Sequence, residues 1–384
     1  MKKKITDNPM YIYLMVLTIA ATAGLHVWRT LFDNFAVNVV NLDGHHIGIL
    51  QSVREIPGFL ALLVVYLLFI IKEHTLSAFS IVVLGIGVSA TGLFPTFYGL
   101  IFTTLVMSFG FHYFETTNKS LTLQYFDQDT APLVFGKLRS YAAVSNMAAG
   151  AMIFIAASFL SYTQLYLVFG VLVVGVGAWA FLQNPASAEM VPQHKKMILK
   201  RRYWLYYVLT FMAGARRQIF IAFAVFLLVK KFEFSVQAIA ALFLFNNLVN
   251  YFLSPFIGRC IVRFGERKVL SLEYFSLIFI FIAYAMVDSK ALVALLYVAD
   301  HIFFNFAIAI NTFFQKIADP RDIAPSMAVG FTINHIAAVV LPAIGGMLWI
   351  VDYRIPFIGA AVLSIGSLVL VQLIPGELEK RKAS

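Results

Sequence analysis

PASAEMVPQHKKMILKRR, residues 185–202, is the longest polar stretch in the interior of the chain, and it falls almost at its middle. It holds two prolines and five cations, Lys195, Lys196, Lys200, Arg201 and Arg202. Charges of this density are too costly to place in hydrocarbon. The segment therefore reads as an aqueous connection, and it divides the chain into 1–184 and 203–384.

On both sides of this connection the sequence is dominated by long apolar runs. The 384 residues are 61% hydrophobic and 12% charged, with a mean hydropathy of +0.84. Soluble domains carry about 25% charged residues. A water-soluble core cannot hide this much apolar surface behind so little polar surface, whereas a bilayer can, because lipid replaces water around the outward side chains. A span needs about 20 apolar residues, and about twelve spans leave roughly 32 residues each, too few for a sizeable soluble domain. The runs lie at 9–40, 46–71, 75–94, 96–125, 137–161 and 163–183. After the connection they continue at 203–230, 234–257, 268–287, 290–317, 326–350 and 354–374. All are read as helices, since only a helix satisfies every backbone group within one segment in lipid.

The net charge of +10 is distributed by loop. About 21 Lys and Arg fall in one alternate set of loops, including Lys2 to Lys4, the 195–202 cluster and Arg259 to Lys268. About 4 fall in the other set: Lys230, Lys231, Lys290 and Arg354. This asymmetry follows the positive-inside rule and predicts both termini in the cytoplasm, in a cytoplasmic (inner) membrane. The basic charge orients the chain in a lipid bilayer, and no nucleic-acid partner is expected. Lone Cys260 allows no internal disulfide. The start faintly mimics a signal peptide, but the apolar run continues through Trp28 and Arg29, so it is read as a first span.

The halves are weakly alike at an offset near 192. Val16-Leu17-Thr18 matches Val208-Leu209-Thr210, and Phe35-Ala36-Val37 falls near Phe223-Ala224-Val225. Arg54-Glu55 corresponds to Asn246-Asn247, and Ala131-Pro132 to Ala324-Pro325. Matches in register at half the chain length indicate duplication of a six-helix unit. Between the eighth and ninth spans stands GRCIVRFGERK, residues 258–268. It is similar to the loop motif G-x-x-x-D-R-x-G-R-R of the major facilitator superfamily, with Gly258, Arg263, Gly265, Arg267 and Lys268 in place. Val262 occupies the usual acidic position, and the corresponding first-half loop, Lys72 to Thr75, lacks the motif. The resemblance implies an all-α polytopic membrane protein of about twelve transmembrane helices in two pseudo-symmetric six-helix bundles. It further implies a monomer working by alternating access, with Gly258, Arg263, Gly265 and Arg267 gating. The first, fourth, seventh and tenth helices are expected around a central cavity.

Polar residues in a span default to functional candidates. Thr22, His26, Arg29 and Asp33 recur on one face of the first span. Ser108, His112, Glu115, Lys119 and Thr122 make a second stripe on the fourth. The seventh carries Arg216-Arg217-Gln218, and the tenth Asp300, His301, Asn305 and Asn311. The third, sixth, ninth and twelfth are nearly free of charge, Glu273 being the exception. The stripes thus fall on the helices that the resemblance places around the cavity.

Arg29 and Asp33, four apart, can form an internal pair. Arg54 and Glu55 point about 100° apart and are expected to pair with neighbouring helices. Asn246, Asn247 and Asn250 read as interhelical hydrogen-bond donors and acceptors. Arg216 and Arg217 stay charged and offer a fork suited to carboxylate or phosphate; a salt bridge to Glu115 or Asp300 is the structural alternative. Four mid-span arginines (29, 54, 216, 217) balance four acids (Asp33, Glu55, Glu115, Asp300), which suits a small anion or a zwitterion.

Histidine titrates near neutral pH, and His26, His112, His301 and His335 lie in four different spans. Together these residues assign substrate binding to Arg216, Arg217, His26, Arg29, His301 and Asn305, and proton coupling to Glu115, His112, Asp33 and Asp300. Imidazole with carboxylate also suits a transition metal or metal chelate as cargo, although no tight ligand spacing marks a resident metal, and no cofactor is expected. Pro342 to Gly346 is similar to half of the antiporter signature G-P-x-x-G-G, but lies in the eleventh span rather than the fifth, which weakens an exporter reading. No serine-histidine, zinc-protease or paired-aspartate pattern points to an enzyme. A non-transporting sensor or assembly subunit is the reading from another class.

Overall fold

A computed structural model of the chain describes residues 5–42, 44–186, 193–194, 198–234 and 236–383. Among the described residues every regular element is helical. The first half gives α1 (Pro9–Asn38), α2 (44–67), α3 (Glu73–Thr91), α4 (Phe97–Tyr125), α5 (Ala131–Ala156) and α6 (Tyr162–Phe181). The second gives α7 (204–230), α8 (Val236–Phe264), α9 (Glu266–Met286), α10 (290–317), α11 (Ile323–Val351), α12 (Arg354–Val371) and the short α13 (Ile374–Ala383). Among the described residues nine of these are long and apolar enough to cross a membrane. The other long runs, α5, α7 and α11, stand where the sequence predicts the remaining spans. Large apolar side chains turn outward along them, such as Phe154 at 82% and Ile350 at 85% exposure. That surface suits lipid, not water. The chain is an all-α, multi-pass membrane protein.

The helix starts have local causes. Asn8 accepts from the Met10 amide at 2.9 Å while Pro9 opens α1, where its missing N–H costs nothing. Ser161 and Gln164 form a reciprocal capping box at α6. Two of the starts that fall earlier than expected take in a proline. α5 begins at Ala131 rather than 137, because the Asp127 carboxylate accepts from the Thr130 amide at 2.8 Å and turns the chain. α11 begins at Ile323 rather than 326. Pro132 and Pro325 are thus first-turn residues of these helices, not residues that precede them.

Three spans are not uniform α-helix. α2 passes through a 3-10 segment at Leu60–Leu63, α7 through a π turn at Phe220–Ala224, and α10 through a 3-10 turn at Asn305–Ala307. Such irregularities free backbone groups that lipid cannot satisfy, so protein must.

The helices gather into two compact units. The first comprises Met1–Tyr125, Tyr141–Ile198 and Arg321–Thr332; the second comprises Phe126–Ser140, Leu199–Pro320 and Ile333–Ser384. Within the first unit α3 packs closely on α4 and α6. A Cβ on Gly110 would lie 2.3 Å from the Leu84 amide nitrogen, so only glycine permits this approach. Described residues of the central connection dock on the start of α11 in the same unit. His194 Nδ1 lies 2.7 Å from the buried Asp322 carboxylate, and Gln193 accepts from the Ala324 amide at 3.0 Å.

Within the second unit α9 packs on α12 around Leu277, Phe281, Tyr284, Phe357 and Ala360. Outside the spans Lys231 ties three loops, donating to Asp288 at 2.9 Å, to the Val287 carbonyl at 2.8 Å and to the Tyr353 hydroxyl at 2.7 Å. The hydrogen bond from Lys231, and then its charge, hold Asp288 below the usual carboxylate range.

Candidate functional site

In the first unit, α1 carries His26 half-buried and Arg29 and Asp33 exposed. A side chain at Gly150 of α5 would come within 3.4 Å of His26 Nε2, so the imidazole lies over a gap that glycine leaves open. α2 and α4 bring a second polar group together. Arg54 and Glu55 pair with each other at 2.8 Å, contrary to the expectation that sequential residues reach different helices. The long guanidinium arm folds back across the turn. Ser108 of α4 donates to the Arg54 carbonyl, and ligand atoms of Glu55 and His112 lie within 4.8 Å of each other. His112 is buried and meets the Phe331 ring edge-on at 5.7 Å. Glu115 pairs with Lys119 one turn on at 2.9 Å, and Lys119 also sits 4.6 Å over Phe331.

In the second unit the two adjacent arginines diverge. Arg216 is 0% exposed, whereas Arg217 is exposed and makes no hydrogen bond or ion pair among the described residues. About 100° of helix separates neighbouring side chains, so one turns into the bundle and the other out of it. Arg216 faces α9 and α12: its guanidinium lies 4.5 Å over the Tyr274 ring, donates to Ser367 Oγ and stands 4.0 Å from Glu273. Glu273, the single exception among the apolar spans in the sequence, is therefore at the centre of this group rather than beside it. Asp300 is fully buried within electrostatic reach of both.

A separate polar network joins α8 to α10. Asn305 Nδ2 donates to Asn250 Oδ1 at 2.5 Å and to the His301 carbonyl at 2.8 Å. Asn250 is then left to donate through Nδ2 to His301 Nε2, 2.8 Å away. The network thus assigns the His301 proton to Nδ1 in its neutral form. Arg139 donates to the Asn305 carbonyl at 3.4 Å, and the charges of Arg139 and Arg217 both act on His301. Asn250 thus makes the interhelical bonds expected of it, to His301 and Asn305. Asn247 donates to the Phe243 carbonyl of its own helix at 2.9 Å, and Asn246 is buried with no partner among the described residues. His335 is buried on α11. Arg139, counted in the sequence among the cytoplasmic cations, and Ser367 are not read as site residues; only their polarity within apolar helices could have marked them.

The loop residues have defined places. Gly258 lets α8 abut α5, because a Cβ there would lie 2.5 Å from the Pro132 carbonyl. Gly265 takes φ +78, a conformation natural to glycine, where α8 gives way to α9. Arg263 lies 5.3 Å over the Phe264 ring, and Arg267 donates to Gln372 at 3.0 Å. Val262, in the motif's acidic position, is exposed, and the buried acid is Glu266, paired with Lys316 at 2.9 Å.

No family model and no curated protein sequence matches the chain. Solved structures do. The human organic anion transporter MFSD10 (TETRAN) superposes with a TM-score of 0.78 at 9% identity, covering 96% of this chain and 100% of that one. A variant of the E. coli fucose:proton symporter FucP gives 0.74 at 10% identity, with 95% and 98% covered. A bacterial homologue of the iron transporter ferroportin, in its outward-facing state, gives 0.72 at 12%, with 97% and 99% covered. Agreement over nearly the whole length of each shows that this chain has the fold of major facilitator superfamily transporters.

Proposed function

We propose that the chain is a secondary transporter that moves a small anionic or zwitterionic solute across the cytoplasmic membrane by alternating access, coupled to a proton. The observation that carries this reading is Arg217: a guanidinium in a membrane span, exposed and without a bonded partner among the described residues, within reach of the Asn250–His301–Asn305 network. A permanent cation in a span needs a counter-charge, and a carboxylate or phosphate on the solute supplies it with matching fork geometry. His301 and Asn305 add hydrogen-bonding groups around it. His26 and Arg29 are assigned to the same solute from the first unit. Arg216 is engaged inside the bundle and serves the solute only indirectly. Glu115, His112, Asp33 and Asp300 are assigned to the coupling proton, and the Gly258–Arg267 loop to gating. The fold shared with an organic anion transporter and a proton symporter supports both halves of the reading.

The test is uptake of labelled organic acids and amino acids by cells expressing the chain. Arg217→Ala is expected to abolish the uptake that the parent chain confers while leaving its amount in the membrane unchanged. Normal uptake by this variant rejects the assignment.

A further inference from the structure

The second unit buries three charged side chains together between α7, α9, α10 and α12. Arg216, Glu273 and Asp300 are each 0% exposed. Their count does not balance: one guanidinium faces two carboxyl groups. Nor is their hydrogen bonding complete. Among the described residues neither oxygen of Glu273, neither oxygen of Asp300, and neither Nε nor Nη2 of Arg216 has a hydrogen-bond partner. The closest approach of the guanidinium to Glu273, 4.0 Å, is an ion contact rather than a hydrogen bond.

The remaining groups that act on this cluster do not close the gap. Arg139 adds its field at Glu273 and donates to the Asn305 carbonyl at 3.4 Å. At Asp300 the acting charges are Arg216, which attracts, and Glu273, which repels. Tyr274 lies under the guanidinium, Tyr284 lies near Asp300, and Tyr297 acts on Tyr284. These are neutral hydroxyls. An ionised carboxylate buried with no donor is among the costliest groups a protein can hold. Two of them beside one guanidinium carry a surplus negative charge at high cost, offset in part by the field of Arg139 at Glu273.

A single proton removes both defects. Placed on one carboxyl it cancels the surplus charge, and the new O–H gives a donor to a cluster short of donors on the acidic side. A metal ion fits poorly, because it needs several oxygen ligands and would have to sit beside the positive charge of Arg216.

We propose that Glu273 and Asp300, with Arg216 as their shared counter-charge, form a proton-binding site inside the second unit. The site holds one proton and releases it when the guanidinium closes on the carboxyl that carried it. In that step the O–H bond breaks, the proton leaves to water, and the new carboxylate takes up the unpartnered Nε–H or Nη2–H of Arg216. As the seat of the coupling proton the site rests on the transporter reading above, and it adds Glu273 and Arg216 to the residues assigned there. As a proton site it can be tested without any solute.

The experiment is an infrared titration of the full-length protein in lipid vesicles, read at the C=O band of a protonated carboxyl in a dry setting. The wild type is expected to show one such band that vanishes as pH is raised. Asp300→Asn and Glu273→Gln, whose amides mimic the protonated group, are expected to remove or shift the band, with melting close to wild type. If either amide variant fails to fold, Asp300→Glu serves instead, and the band must move in frequency. Absence of a titrating band in the wild type overturns the proposal, as does a band unchanged in every variant. Loss of the band on adding sodium at fixed pH also overturns it, in favour of a metal cation. A band that behaves as expected in a protein that moves no organic acid or amino acid refutes the transporter reading and leaves the proton site standing. Proton-driven uptake without the band does the reverse.

Discussion

A single hydroxyl on α11 compensates for a flaw in α2. Pro57 lies inside that helix, and the chain continues through the 3-10 segment Leu60–Leu63. In hydrocarbon the freed backbone groups have no water to turn to. Thr332 accepts from the Leu62 amide at 2.9 Å and donates to the Phe59 carbonyl at 3.0 Å, closing both. Thr332→Val keeps the shape and deletes both bonds. It is expected to destabilise the protein by about 1–2 kcal/mol, seen as a lower melting temperature in detergent, with Thr332→Ser close to wild type. An equal melting temperature for the valine variant would show that α2 satisfies itself. None of this was legible beforehand. A threonine in an apolar run carries no sign of a partner some 270 residues away, because the bond depends on where two helices cross. Arg216 and Arg217 teach the same point. Adjacent in sequence and chemically identical, they occupy opposite environments because of the rotation of one helix.

At the scale of the element, close packing in the first unit depends on positions with no side chain. Lipid offers helices no hydrophobic drive to associate, so contact area and backbone proximity must provide it. At Gly110 an added Cβ meets backbone atoms of α3, Leu84 N at 2.3 Å and Ser80 O at 2.6 Å, which cannot rotate aside. At Gly175 of α6 nothing lies within 4 Å. Gly110→Ala is therefore expected to force α3 from α4 and cost at least the about 1–3 kcal/mol of an overpacked core. Gly175→Ala is expected to be neutral or stabilising by up to about 1 kcal/mol through helix propensity. Thermal melting of the two variants side by side measures the contrast, and equal effects would refute a contact-based role for Gly110. The existence of these helices was plain from hydropathy. Their irregular turns were not: the π turn at Phe220–Ala224 and the 3-10 turn at Asn305–Ala307 carry neither Pro nor Gly, and local propensity does not mark them.

For the molecule as a whole, charge distribution predicts orientation. With basic residues concentrated in alternate loops, the central connection and the carboxyl end are expected in the cytoplasm, and the turn after Lys231 outside. A fluorescent-protein fusion at the carboxyl end should be bright. Alkaline phosphatase should be active when fused at Glu233 and inactive when fused at Gln193; the opposite pattern would invert the topology. Composition, hydropathy and loop charge were enough by themselves to establish a polytopic helical protein. Lipid imposes its demand on each span separately, so every span carries its own signature. The polar residues within apolar runs likewise named most of the side chains that the structure gathers into groups: Arg54 with Glu55 and His112, and His301 with Asn305. Which groups they join was decided only in three dimensions. Glu273 looked peripheral on a nearly charge-free helix, yet it stands beside Arg216, fully buried, because helix tilt and rotation are set by packing against neighbours far away in sequence.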